Sequence, residues 1–337
     1  MGDRPLSGAA PRRRITIVAP VYNEVEGIAH FTAAVLAVMA QLPYDATLVL
    51  VDDGATDGTA EVLDRLHAEH PQQITVIHLS RNFGHQAALT AGMDVADGDA
   101  MICLDCDMQH PPALIPALLE RWEAGYDIVQ ATRREVGDVN LFKRLTTGNF
   151  YRVLNLLSAT HIEPMASDFR LLSRPVLAVF QRDLRERDRF IRGLVSWVGF
   201  RYARIEFDPP PRFAGHSNYS LGKMLRFARS GLISFSKLPL KVASVLGLVV
   251  STLSLLYGLF AIFAWVFMSR AVMQGWASII LVTTFLGGCQ LLFLGLIGEY
   301  IATMFDEIKA RPVYIVARQL TAESCQPSAV SHQPEER

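Results

Sequence analysis

Cysteine is scarce in this sequence: Cys103, Cys106, Cys289 and Cys325 are the 4 among 337 residues. So few support neither a disulfide framework nor a zinc cluster, and they fit a reducing compartment. Cys103 and Cys106 form a C-x-x-C inside an apolar run that reads as a strand. Positions three apart on a strand face opposite ways, so packing is the expectation for both. An excess of charge is missing too. Lys and Arg number 32 against 33 Asp and Glu, a formal net charge of -1, which leaves no global field to draw in nucleic acid. Met1 to Arg14 carries Arg12, Arg13 and Arg14 but no apolar h-region, so it is no secretory signal, and the domain after it is expected to stay cytosolic. Neither G-x-x-x-x-G-K-[ST] nor G-x-G-x-x-G occurs. A phosphate-cradling loop of either kind is absent, and a metal has to carry that task.

What is present divides into two unlike halves, with 50% apolar residues providing ample core material. From Ile15 to about Pro211, short apolar runs alternate with amphipathic stretches. That is the pattern of an α/β domain with a largely parallel sheet. Strands are predicted at Ile15–Pro20, Ala46–Val51, Ile74–Leu79 and Ala100–Asp105, and helices at Glu24–Gln41, Thr56–Glu69 and Gln86–Val95. Several strands end directly in polar residues, where ligands of such sheets gather.

After Lys241 the composition changes. Val242 to Ser269 contains no Asp, Glu, Lys or Arg, and Ala271 to Gly298 contains none either. Each exceeds the roughly 20 residues that a helix needs to cross a bilayer, which predicts two transmembrane helices. Lys237 and Lys241 precede the first run and Lys309, Arg311 and Arg318 follow the second, whereas only Arg270 separates them. Both termini are therefore expected on the cytoplasmic side. Leu221 to Ser236 sets Lys223, Arg226 and Arg229 among apolar residues, as a helix at a headgroup interface would. The expected organisation is a disordered basic tail (1–14), a catalytic domain (15–215), an amphipathic juxtamembrane helix (216–236), a transmembrane hairpin (238–298) and a cytoplasmic segment with a tail (299–337). Gly247, Gly287 and Gly288 would permit close helix contact, including that of a homo-oligomer.

The chemistry is concentrated in Asp105-Cys106-Asp107-Met108-Gln109-His110-Pro111-Pro112. Alternation along a strand would put Asp105 and Asp107 on one face. Two carboxylates so close disturb each other's ionisation unless a cation lies between them and an anionic group, such as Mg²⁺ or Mn²⁺ bridging a diphosphate. A second acidic cluster, Asp52-Asp53-Gly54-Ala55-Thr56-Asp57-Gly58, also ends a strand. A carboxylate there could accept hydrogen bonds from a ribose or a base, while Thr56 or Asp57 could equally cap the next helix. Pro20-Val21-Tyr22-Asn23-Glu24 ends the first strand with an aromatic face and polar edges suited to a nucleobase. His85 and His110 could touch phosphate or serve only as turn residues.

Taken in order, these segments, with Ser80-Arg81-Asn82-Phe83-Gly84-His85-Gln86, Ser167-Asp168-Phe169-Arg170 and Arg212-Phe213-Ala214-Gly215-His216-Ser217, resemble the family-two glycosyltransferases of the GT-A (Rossmann-like) fold. Within these the match is to the polyprenyl-phosphate sugar transferases. Gly298-Glu299-Tyr300 and Lys309-Ala310-Arg311-Pro312-Val313-Tyr314 look most like the bactoprenol glucosyltransferase branch. The family usually has D-x-D-L-Q, and Met108 replaces its Leu at nearly conserved volume.

The resemblance implies that Pro20, Tyr22, Glu24, Asp52, Asp53 and Arg81 contact the nucleotide sugar, and that Asp105, Asp107 and Gln109 hold metal and diphosphate. Asp168 would lie near the acceptor, to orient it or take a residual proton. Arg212 would meet the lipid phosphate, with Arg133 and Arg134 behind it. The implied reaction is inverting transfer of a hexose, with UDP-glucose the favoured donor, to undecaprenyl phosphate. A processive polysaccharide synthase would need more spans and a Q-x-x-R-W segment, neither of which is present. A catalytically silent nucleotide-sugar binder would not need every acidic position intact.

Overall fold

A computed structural model describes residues 12–134, 166–187, 189–208, 238–267 and 276–322. The chain forms two units, the first reaching to Asp208 and resuming at Pro312, the second holding two long helices.

The first unit is built on strands β1 (Arg14–Val21), β2 (Asp45–Asp52), β3 (Ile74–Leu79), β4 (Ala100–Cys103), β5 (Ile128–Arg133), β6 (Ala166–Ser173), β7 (Tyr202–Phe207) and β8 (Val316–Leu320). They make one sheet in the order β7-β5-β6-β4-β1-β2-β3-β8. Helices α1 (Ile28–Met39), α2 (Thr59–Glu69), α3 (His85–Val95), α4 (Ile115–Glu123), α5 (Arg174–Arg182) and α6 (Ile191–Trp197) flank it. The first four strands are parallel to one another, with Ile15 opposite Ala46 and Ala100. β6 runs antiparallel to both β4 and β5, and β8 antiparallel to β3. The sheet is thus mixed, where a largely parallel one was expected.

Buried Ile, Leu and Val on β1 and β2, together with Phe31 and Val35 of α1 and Leu118 of α4, form the core. On α3 a Cβ at Gly92 would stand 2.2 Å from Val18 Cγ1, so only glycine lets this helix lie so close to β1. Because β1 to β4 are parallel, their carboxyl ends share one edge. An antiparallel β6 begins at that same edge. This topology brings the ends of four early strands beside Asp168, which is distant in sequence.

Two expectations need correction. β4 ends at Cys103, so Asp105 and Asp107 do not share a strand face; they lie in the turn beyond it. That turn is closed by the Asp105 N–H donating to His110 Nδ1 (3.0 Å) and by a left-handed backbone at Met108, φ +60°. The segment after the helices is no simple tail either, because Val316–Leu320 returns to the sheet as β8.

The second unit contains α7 (Leu238–Phe267) and α8 (Trp276–Ile308). Among the described residues one stretch, Phe285–Ile308, is long and apolar enough to cross a membrane, and none of it is buried. Leu291 is 72% exposed and Leu292 67%. The expected span stopped at Gly298, but the helix runs on through Glu299 and Tyr300, since backbone hydrogen bonding continues whatever the side-chain charge. In α7 the apolar stretch described is the shorter Val245–Tyr257. Thr252 and Thr283 turn their hydroxyls onto the carbonyls of Leu248 and Ile279 (2.8 and 2.6 Å), which satisfies them without water. The predicted amphipathic helix at 216–236 and the basic tail up to residue 11 lie outside the described residues.

Candidate active site at the carboxyl edge of the sheet

Asp105, beyond β4, meets His85 at the start of α3 and Asp168 on β6; one ligand atom from each lies within 4.8 Å of the others. His85 Nε2 is 3.6 Å from Asp105 Oδ1 and 3.4 Å from Asp168 Oδ2. Asp105 Oδ1 is buried and has no hydrogen-bond partner among the described residues. Burial, and then the Asp168 charge, push the Asp105 carboxyl up, against the pull of His85. Burial lowers His85, but the Asp168 hydrogen bond and the Asp105 charge outweigh it and raise the ring. A buried carboxylate oxygen without a partner, beside an imidazole and a second carboxylate, is a donor set suited to a hard divalent cation.

Asp168 is differently placed. Arg170, two residues along the same strand face, gives its Nη2 to Oδ1 at 2.6 Å. Arg192 on α6 adds bonds to Oδ1 at 3.0 Å and Oδ2 at 2.7 Å. Burial would raise this carboxyl, but the His85 hydrogen bond and the two arginine charges hold it well below the usual carboxylate range. Next to it the β5–β6 ladder shifts register between Gln130 and Thr132. Gln130 Nε2 fills the gap by donating to the carbonyls of Ser167 (2.7 Å) and Phe169 (3.0 Å). Such a bulge re-aims the residues beside it.

His110 is neutral. Its Nδ1 accepts the Asp105 N–H, and burial pulls the ring down to about 4. The 3.4 Å approach of Asp105 Oδ2 to the same nitrogen is therefore no ion pair. His110 stacks on Phe169 with ring centroids 5.5 Å apart, an anchor for the turn rather than a phosphate contact.

The remaining candidates separate clearly. Asp107 is not in the three-residue cluster; its Oδ1 accepts the Gln109 N–H at 3.0 Å. Arg133 does reach this turn, with Nη2 3.0 Å from Gln109 Oε1. Arg134 instead pairs on the surface with Asp208 at 3.1 Å. Arg212 lies outside the described residues.

At the end of β1, Pro20 is buried, Tyr22 is 45% exposed and Glu24 is half-buried. Asp52 and Asp53 are buried and already bonded. Asp52 Oδ1 accepts the Ala55 N–H at 2.8 Å. Asp53 takes the N–H groups of Phe83 (2.7 Å) and Gly84 (2.9 Å). These bonds draw the turn after β2 against the one after β3, and Gly54 (φ +69°) is needed there: its Cβ would sit 2.5 Å from the Arg81 carbonyl carbon. Arg81 lies over the Phe83 ring, 4.1 Å from its centroid. The N-cap of α2 is Gly58 rather than Thr56 or Asp57, and Asp57 Oδ1 instead accepts from Thr59 Oγ1 at 2.6 Å and from its N–H at 3.0 Å.

Cys103 and Cys106 are free and buried. Burial pushes the Cys103 thiol up to about 12 and Cys106 well above its usual value. Iodoacetamide at about pH 8 should therefore leave both unmodified in the native chain and alkylate both after denaturation. Peptide mass spectrometry reads this directly, and native labelling of either at the rate of an exposed thiol would contradict it.

The sequence profile of Glycosyl transferase family 2 matches residues 16–180. Over 303 residues the chain is 42% identical to the uncharacterized glycosyltransferase sll0501 of Synechocystis sp. (strain ATCC 27184 / PCC 6803 / Kazusa), covering 90% of this chain and 94% of that one. The chain belongs to glycosyl transferase family 2. Its resemblance to the bactoprenol branch is matched by 38% identity over 309 residues to the SfII prophage-derived bactoprenol glucosyl transferase of Shigella flexneri, covering 90% and 98% of the two chains. Among solved structures, glucosyl-3-phosphoglycerate synthase from Mycobacterium tuberculosis with phosphoglyceric acid aligns at 19% identity and a TM-score of 0.45, over 66% of this chain and 79% of that one. As a family-two enzyme the chain is a glycosyltransferase with a GT-A α/β domain.

Of the residues that hold the site, Arg170 and Arg192 escaped the sequence reading. An acidic residue flanked on its own strand face by an arginine two positions away was the available signal for Arg170. Nothing local pointed to Arg192, which tertiary packing alone brings in.

Proposed function

We propose that the chain transfers a hexose, with inversion, from UDP-glucose to undecaprenyl phosphate. The observation that carries this reading is the buried, unpartnered Asp105 oxygen beside His85 and Asp168, in a chain that aligns with bactoprenol glucosyl transferases over about nine-tenths of its length. Asp105 and His85 would hold Mg²⁺ or Mn²⁺, with Asp107 on the same turn as a further ligand. The ion would supply charge to steady the departing diphosphate.

Tyr22 and Glu24 receive the nucleoside, with Pro20, Asp52 and Asp53 as the buried frame beneath and Arg81 at the rim. The acceptor is a phosphate monoester whose second pKa is about 6, so it arrives already carrying an attacking oxyanion. A strong base is not required. Asp168, with two arginines and a histidine on its oxygens, orients rather than takes a proton. Arg133 and Arg212 balance the acceptor charge; Arg134, spent on Asp208, is left out.

The chain crosses the membrane twice, through α7 and α8, with its catalytic unit cytoplasmic. β8 supports this, since it pairs with β3 although it follows both helices. A chain that leaves a unit and rejoins it crosses an even number of times.

The test is transfer of radiolabelled glucose from UDP-glucose to undecaprenyl phosphate by detergent-purified full chain. Label should enter the lipid fraction, vanish with EDTA and return with excess Mn²⁺ or Mg²⁺. Label moving only from another nucleotide sugar would displace UDP-glucose alone. Failure with every nucleotide sugar would leave the silent binder.

A further inference from the structure

A second charged cluster, half-buried at its rim, shares only Asp52 with the site above. His78 on β3 places Nδ1 2.8 Å from Asp52 Oδ2 and Nε2 3.0 Å from Asp64 Oδ1 on α2. Arg318 on β8 reaches Asp64 Oδ1 at 2.8 Å, and its Nη2 lies 3.2 Å from His78 Nε2. The side chains of His78 and Asp52 are 8% and 5% exposed. Carboxylates only accept hydrogen bonds, so the protonated ring donates to Asp52 through Nδ1 and to Asp64 through Nε2, and the Arg318 Nη2 beside Nε2 is then a neighbour on the shared Asp64 carboxylate rather than a hydrogen-bond donor to the ring.

The far side of Asp52 explains what this cluster is for. Its other oxygen holds the Ala55 N–H at 2.8 Å, and the next N–H, from Thr56, donates to Asn23 Oδ1 at 2.8 Å. Asn23 lies between Tyr22 and Glu24 in a left-handed conformation, φ +54°. An unbroken set of bonds therefore runs from Arg318 through Asp64, His78 and Asp52 to the turn that frames the nucleoside.

We propose that His78 is a positioning residue for the donor, fixing Asp52 and the 52–56 turn, and that Arg318 braces it from the strand that follows the two long helices. This rests on the reading that the ends of β1 and β2 receive the nucleoside. The donor pocket is then complete only when the chain has returned as β8.

The brace depends on pH. The groups facing the ring are Asp52 from β2, Asp64 from α2 and Arg318 from β8. Burial lowers His78, but the hydrogen bonds to Asp52 and Asp64 outweigh it, so its value lies above the ordinary 6.5. The stabilisation is fully present below that ordinary value and is lost as pH rises through the raised one.

The experiment uses the detergent-purified full chain. UDP and GDP affinities with Mn²⁺ are measured by calorimetry, and steady-state constants with UDP-glucose and undecaprenyl phosphate. Arg318→Met and His78→Gln should weaken UDP binding and raise donor KM by roughly three- to tenfold, with kcat and the lipid KM unchanged. Arg318→Lys should recover part of the loss. Wild-type UDP affinity should fall as pH rises through the raised value of His78, and His78→Gln should abolish that fall.

If Asp52→Asn weakens UDP while Arg318→Met, at an exposed strand edge that tolerates change, stays within twofold of wild type, the brace is wrong and the donor-site reading stands. If Asp52→Asn also has no effect, or neither nucleotide binds the wild type, both fall.

Discussion

Asp105→Asn should reduce sugar transfer by about 10²-fold or more and leave the protein as stable as before, or more so. The two halves of this result have one cause. Asp105 is a carboxylate whose Oδ1 is buried without a partner, near a second carboxylate, and whose proton affinity is raised by that burial. Such a group costs stability, and the His85 charge offsets that cost only in part. Asparagine keeps the shape and removes the charge, so the fold is relieved while the cation loses its principal ligand. Activity and thermal midpoint should move independently, which is the signature of a residue kept for function at the expense of stability. Transfer within tenfold of wild type by Asp105→Asn, with full Mn²⁺ dependence retained, would remove Asp105 from the metal site.

How far the sequence foretold this site varies with the kind of signal. The early strands and helices were legible because apolar runs alternate cleanly with polar punctuation; Ile74–Leu79 appears with the expected bounds. Asp105 was legible as a carboxylate ending a strand. Its partners are not legible in the sequence, because period-2 alternation stops at Cys103 and does not apply in the turn beyond. The real neighbour, His85, is supplied by the start of α3, and Asp168 by a strand that runs antiparallel. Neither adjacency has a local pattern.

β8 was missed for a related reason. Val316-Ala317-Arg318-Gln319-Leu320 is short and carries one charge, and only the open edge of β3 makes it a strand. Asp52 and Asp53 stand out in the sequence as a cluster, yet their oxygens are spent on backbone and on His78. Sequence shows which residues can bond, not which of them have already done so.

The second large effect concerns Asp168, where stability and transfer should fall together. Asp168→Asn is expected to destabilise the chain by about 3 kcal/mol and to abolish most transfer. Arg170 is fully buried, and its Nε and Nη1 have no hydrogen-bond partner among the described residues. Its charge is offset through Nη2 by Asp168, with the Ser167 carbonyl as a further acceptor at 3.1 Å. Removing the carboxylate strands a buried guanidinium and releases Arg192, whose two bonds tie α6 to β6.

A second substitution separates anchoring from chemistry. Asp168→Asn combined with Arg170→Met replaces the broken pair with groups that carry no net charge, and should recover most of the thermal midpoint, because buried ion pairs exchanged for apolar groups of similar volume are often neutral. Transfer should stay low, since His85 then faces Asp105 without its other carboxylate. If Asp168→Asn alone keeps the wild-type midpoint, the arginines have other counter-charges, and Asp168 acts on the acceptor directly. If the double variant regains transfer along with stability, Asp168 is only an anchor, and the acceptor side of the site must be sought around Arg133.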